Sequence, residues 1–121
     1  MRRGLLLIVI IGMVLSLTST AVHAESAADL VSRGNESYLK GKYDDAISAY
    51  EEASVDAPES PYIYFNRGTA LYKKGDYSGA SEAFEKAALK SKDPGLEAKS
   101  KFNLGNCAYR EAERQKDSDL N

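Results

Sequence analysis

The sequence is short of the residues on which most site chemistry rests. Tryptophan is absent, and there are one cysteine, one histidine and three prolines in 121 residues. A single Cys, Cys107, cannot close an internal disulfide or form a Cys-x-x-Cys redox or zinc pair, and a lone His cannot supply the paired ligands of most zinc sites. Nothing in the composition calls for a metal or any other cofactor. The 16 basic residues are outnumbered by 18 acidic ones, for a net charge of −2, so the chain has no basic excess with which to release phosphate counterions. Nucleic acid is therefore not expected as a partner. The length suits one small domain and excludes a large multidomain enzyme.

The only long apolar run is at the start. Arg2 and Arg3 precede the eleven residues Leu5–Leu15, and a polar stretch follows that ends Val22-His23-Ala24. This order of basic, apolar and small-residue segments predicts a signal peptide over residues 1–24, cleaved after Ala24. Its apolar core falls short of the roughly 18 residues of a spanning helix and is followed by Ser16, Thr18, Ser19 and Thr20. Export is the expectation, to the periplasm or the exterior. The alternative is an uncleaved membrane anchor through residues 5–22, the one route by which a membrane would be a partner. Cleavage removes Arg2, Arg3 and His23. It leaves 97 residues with 14 basic against 18 acidic side chains, a formal charge of −4 and no histidine to serve as a base. Cys107, between Asn106 and Ala108 with Leu104 nearby, reads as a small packed residue on a helix.

Internal repetition dominates the remainder. A shift of 34 residues lays Gly34–Ala53 on Gly68–Ala87 with nine identities in twenty: Gly34, Tyr38, Lys40, Gly41, Tyr43, Ala46, Ala49, Glu51 and Ala53 all recur. Chance predicts about one or two. A period of that length implies a solenoid of helical pairs, in which each unit buries its apolar face on its neighbours. Ala46, Ile47, Tyr50 and Ala53, then Ala80, Phe84, Ala87 and Ala88, form helical stripes of small residues around one ring. Gly41 and Gly75 offer left-handed helix stops, and Asp44-Asp45 favours a helix N-terminus. Ser60-Pro61 and Asp93-Pro94 have the order of N-cap and first helical residue. Gly34 and Gly68 sit inside helical stretches at a cost of about 1 kcal/mol against Ala, which predicts close approach of the paired helix backbone. The expected helices cover 26–40, 44–56, 60–74, 78–91 and 94–115, with 117–121 as a polar loop.

This arrangement of Gly34, Gly41, Tyr43, Ala46, Tyr50, Ala53 and Pro58, repeated in Gly68, Gly75, Tyr77, Ala80, Phe84 and Ala87, resembles the tetratricopeptide repeat. The resemblance implies an all-α helix-turn-helix solenoid over residues 25–121. Repeat one would be 27–60, repeat two 61–94, and a partial repeat three 98–121 would open on Phe102-Asn103-Leu104-Gly105-Asn106. Arg33, Arg67 and Ser37 depart from the family's usual choices. The third unit lacks the Gly-x-Tyr turn and a second helix, so α-helical residues there would form either a cap or the front of a longer array. A weaker resemblance, carried by the Phe-Asn-Leu-Gly-Asn stretch after an export signal, is to exported repeat proteins of the aerotolerance-operon type.

The resemblance also implies a function: a non-catalytic scaffold or adaptor outside the cytoplasm, holding a protein or peptide in the concave groove lined by the first helices. Carried over residue by residue, the groove would use Asn35 and Tyr38 from the first unit. The second would give Tyr62, Phe65, Asn66, Thr69, Tyr72 and Lys73, and the third Lys99, Phe102, Asn103, Asn106 and Tyr109. Asn can pair with both polar groups of a bound main chain, and the rings offer rigid apolar area. The plainer reading is that the rings only pack between units. The carboxylate clamp of chaperone-binding members is matched at Asn35, Asn66 and Lys99, but Val31 and Asn103 stand where two of its cations belong. An accessory role in a longer enzyme or membrane complex is the alternative function. Ser37-x-x-Lys40 fits a penicillin-binding motif without its companion motifs and reads as coincidence. Asn35-Glu36-Ser37 is a glycosylation sequon in mid-helix.

Overall fold

The structure, a computed structural model, describes residues 24–121; the segment read as a signal lies outside them for all but Ala24. Five helices follow one another, α1 (Ala27–Leu39), α2 (Tyr43–Asp56), α3 (Pro61–Lys74), α4 (Tyr77–Lys90) and α5 (Pro94–Asp119), and no strand occurs among the described residues. Each helix packs chiefly on the next in the chain, while the first helices of successive units, α1 with α3 and α3 with α5, touch more lightly. This is the expected all-α solenoid of helical pairs.

Local chemistry sets the helix ends. Ser26 and Asp29 form a reciprocal capping box at the start of α1, the Ser26 hydroxyl accepting from the Asp29 N–H at 3.1 Å. The hydrogen bonds from Ser26 hold the Asp29 carboxyl below the usual aspartate value. Gly41 and Gly75 follow the first helix of each unit at φ of +73° and +89°, a region that costs a side-chain-bearing residue strain. Asp93 caps α5 through the Gly95 N–H at 2.9 Å, with Pro94 as the first helical residue. Ser60 holds the N-cap position of α3 but its side chain makes no capping bond, because Pro61 and the extended backbone already set the entry. Asp76, whose role the sequence did not suggest, caps α4 on the Gly79 N–H at 2.9 Å.

Two expectations are corrected. α5 runs on to Asp119, through the stretch read as a polar loop from residue 117. No Gly or Pro follows Gly105, and Ala112, Glu113, Arg114, Gln115 and Lys116 are good helix formers. The helical glycines are approached by rings and not by backbone: a Cβ on Gly34 would lie 2.6 Å from Tyr50 Cε1, and one on Gly68 would lie 2.9 Å from Phe84 Cδ1.

The core is the seam between first and second helices. Tyr50 and Phe84, each 2% exposed, are its most deeply buried rings, set among Ala46, Ala53, Ala80 and Ala83. Small residues leave room for one ring per unit, and that ring lies on the glycine of the paired helix. Cys107 is buried in the same core, and burial pushes its thiol pKa up, as expected of a packed residue and not a reactive one. Among the described residues no helix is long and apolar enough to cross a membrane.

Candidate functional site

The candidate groove is built from one side of α1, α3 and α5. Its residues lie on that side because they occupy the helical turns not claimed by the paired second helix. None of the thirteen is buried: Asn35, Tyr62, Lys73, Lys99, Phe102 and Tyr109 are exposed, and the remaining seven are half-buried. Tyr62, Phe102 and Tyr109 are among the most exposed rings of the chain, at 56%, 71% and 64%.

The polar centre is a pair of asparagines on neighbouring helices. The Asn35 side-chain oxygen accepts from the Tyr50 hydroxyl at 2.7 Å and from the Asn66 amide at 3.5 Å. Asn35 is thus oriented from beneath by a core ring, which leaves its NH₂ group and the Asn66 carbonyl oxygen turned to other partners. Burial pushes the Tyr50 hydroxyl up to about 12, with Tyr38 adding to the effect, so it remains a donor at any physiological pH. The Thr69 hydroxyl is spent within its own helix, donating to the Phe65 carbonyl at 3.0 Å.

The aromatic residues divide into two groups. Tyr38 packs on Tyr43 at 5.6 Å between centroids, Phe65 on Phe84 at 5.6 Å and Tyr72 on Tyr77 at 5.2 Å. These three rings brace their own units. Tyr62, Phe102 and Tyr109 have no ring partner among the described residues. Of the groove tyrosines Tyr38, Tyr72 and Tyr109, the first two are therefore tied to the turn tyrosines Tyr43 and Tyr77.

Between neighbouring first helices lie two open apolar cavities. One of about 400 Å³ is lined by Phe65, Ala98, Lys99, Phe102 and Asn103. The other, of about 330 Å³, is lined by Ala27, Ala28, Val31, Ala57, Ser60, Tyr62 and Ile63. Both follow from small side chains, Ala28 and Ala98, opposite large ones on α3, Tyr62 and Phe65. Charge around the groove is sparse. Among the described residues the ion pairs engage Arg33, Lys40, Lys74, Lys86, Lys90, Lys101 and Arg110, and neither Lys73 nor Lys99.

Sequence reasoning missed a bracket at the far end of the array. Arg110 reaches the Tyr77 hydroxyl through Nε at 3.2 Å and Nη2 at 3.1 Å, and Arg114 donates to the Gly75 carbonyl at 2.9 Å. Their guanidinium carbons stand 5.5 Å and 4.8 Å from the Tyr77 ring centre, within cation–π range. The available signal was two arginines four residues apart, which share a helix face. Among the described residues no group of three or more His, Cys, Asp or Glu is placed to hold a metal ion.

Comparison with known proteins bears on this geometry. One family model, described as TPR repeat, matches residues 34–75, and a second, described as tetratricopeptide repeat, matches residues 61–94. The chain belongs to the tetratricopeptide repeat family. The first match contains Gly34 with Tyr50 and the second contains Gly68 with Phe84. Tetratricopeptide repeats generally mediate protein–protein interactions and are typically non-catalytic, which accords with a scaffold role. No curated protein matches the chain.

Proposed function

We propose that this tetratricopeptide repeat protein is an adaptor that holds an extended peptide segment of a partner across α1, α3 and α5, and that it acts outside the cytoplasm. The location rests on the Arg2–Ala24 sequence alone. The observation that carries the binding site is the Asn35–Asn66 pair, locked by the Tyr50 hydroxyl and flanked by two open apolar cavities. A fixed amide pair matches the alternating N–H and C=O of an extended main chain. The cavities suit apolar side chains to either side of it. Lys73 and Lys99, free of internal ion pairs, favour a peptide with acidic character.

A phage-displayed library of random linear peptides, panned on the full chain and followed by calorimetric titration of the selected sequences, tests this reading. Asn66→Ala is expected to weaken binding by about 1–3 kcal/mol, since the peptide's polar groups lose a partner in a desolvated site. Lys99→Ala should weaken acidic sequences, and more so at low salt. Full affinity in Asn66→Ala, with helicity unchanged by circular dichroism, would place the site elsewhere.

A further inference from the structure

The two complete units carry an arginine at the same position and treat it differently. In the first, Arg33 donates through Nη2 to Glu25 at 2.8 Å and to Glu52 at 3.4 Å. A shift of 34 residues turns this trio into Arg67, Glu59 and Lys86. Glu59 is engaged by Lys90 at 3.1 Å, and Lys86 stands where the second acid was. Arg67 therefore takes part in no ion pair among the described residues. It is half-buried, and its Nε is buried with no hydrogen-bond partner, while its Nη groups reach the surface.

Cations gather around this arginine. Arg67 follows Tyr64 by one turn of α3, and the Lys86 and Lys90 ammonium groups stand 5.9 Å and 5.7 Å from the Tyr64 ring centre. Arg33, Glu25, Glu52 and Asp56 set one base against three acids in the first unit. At the matching places of the second, Arg67, Lys86 and Lys90 are three bases, answered by Glu59 and by Glu82, which pairs with Lys86. The cluster lies in the middle of the array, with α2 packed on α3 and α5 on α4. On α3, Arg67 is turned away from the side that carries Tyr62, Thr69 and Lys73.

We propose that this cluster is a second binding site, at which the Arg67 guanidinium takes a carboxylate from an acidic segment of a partner protein. The first unit shows what fits. There the guanidinium at this position is met by two carboxylates, and in the second unit the chain itself supplies neither. A guanidinium stays charged at any accessible pH and favours planar, two-pronged partners, so a partner's Asp or Glu completes the arrangement that Glu52 gives Arg33. Lys86 and Lys90 extend the site to neighbouring acidic residues, because their present pairs use exposed carboxylates on the protein surface and hold them only weakly.

The site does not depend on the groove and is tested apart from it. Hexaglutamate is titrated into the isotope-labelled full chain while backbone and arginine Nε–H signals are followed by nuclear magnetic resonance. Saturable shifts are expected at the Arg67 Nε–H and around Lys86 and Lys90. Arg67→Leu should weaken hexaglutamate about tenfold or more, the worth of one charge-assisted pair. Lys86→Glu rebuilds the arrangement of the first unit, so it should raise the urea midpoint while weakening hexaglutamate at least as much. Lys99→Ala, in the groove, should leave the Arg67 shifts unchanged. The proposal is overturned by shifts confined to Lys73 and Lys99, or by full affinity in Arg67→Leu with helicity retained by circular dichroism. It is also overturned if inorganic phosphate at equal charge gives the same shifts, which would mean a small-anion site and no surface for an acidic segment. Asn66→Ala reports on the groove alone, so either reading can fail without the other.

Discussion

The first two units and the third begin alike and end differently. Gly34, Gly68 and Gly105 each stand in the middle of a first helix, but Tyr50 and Phe84 lie on the first two and nothing lies on the third. Tyr38 and Tyr72 are braced by Tyr43 and Tyr77, whereas Tyr109 is 64% exposed. Glycine in this position is thus not a helix requirement. It is a seat for a ring, and its stability consequence depends on whether the seat is filled. The same residue type is a packing necessity in α1 and α3 and a conformational cost in α5.

The strongest way to break this comparison is to remove a ring from each side of it. Phe84→Ala should destabilise the chain by about 3–5 kcal/mol, because a fully packed ring leaves a cavity between α3 and α4. Phe102→Ala, at a ring 71% exposed, should change monomer stability by less than about 0.5 kcal/mol. Urea denaturation followed by circular dichroism measures both. Similar losses in the two variants would mean that Phe102 is packed in solution.

Filling the seats is the converse. In Gly34→Ala and Gly68→Ala the new methyl would stand 2.6 Å and 2.9 Å from ring carbons, so the ring must shift. Overpacking costs about 1–3 kcal/mol, against a gain of about 1 kcal/mol in helix propensity. The expected net loss is about 1 kcal/mol, larger in α1 where the contact is closer.

Much of this was legible in the sequence. The 34-residue shift aligned both seats and both turn glycines, and the stripes of alanine around Tyr50 and Phe84 marked the second helices. The ring that fills each seat follows its glycine by 16 residues in both units, a regularity visible before any coordinates but read there as backbone approach. The rest depends on long-range geometry that spacing does not encode. Asn35 looks like a free groove residue until the Tyr50 hydroxyl is found 2.7 Å away. Arg110 looks like a solvent-facing cation of α5 until it is seen bound to the Tyr77 hydroxyl from a different unit. The extension of α5 was underestimated because polarity was read as loop, although no residue there breaks a helix.

Tyr50 allows the filled seat to be probed by pH. Its folded-state pKa is raised to about 12, above the ordinary tyrosine value of about 10, so the neutral form is the one the fold prefers. The contribution is therefore fully present below about pH 10 and is lost as pH rises toward 12. Tyr50→Phe should cost about 1 kcal/mol at neutral pH through the lost bond to Asn35, and it should flatten the fall in stability between those limits. Denaturant midpoints at a series of alkaline pH values, compared between the parent and Tyr50→Phe, provide the check. Parallel curves would mean that Tyr50 ionises freely in the folded state.

The smallest effect has the opposite sign, and its sign is what sharpens the comparison. Gly105→Ala places a methyl where nothing lies within 4 Å, so no ring resists it. The substitution restricts the unfolded chain and removes the glycine penalty from the middle of a 26-residue helix. Stability should therefore rise by about 0.5–1 kcal/mol in urea denaturation. A loss of monomer stability like that of Gly68→Ala would mean that Gly105 is covered in the folded monomer. In that case the difference between the third unit and the first two would disappear.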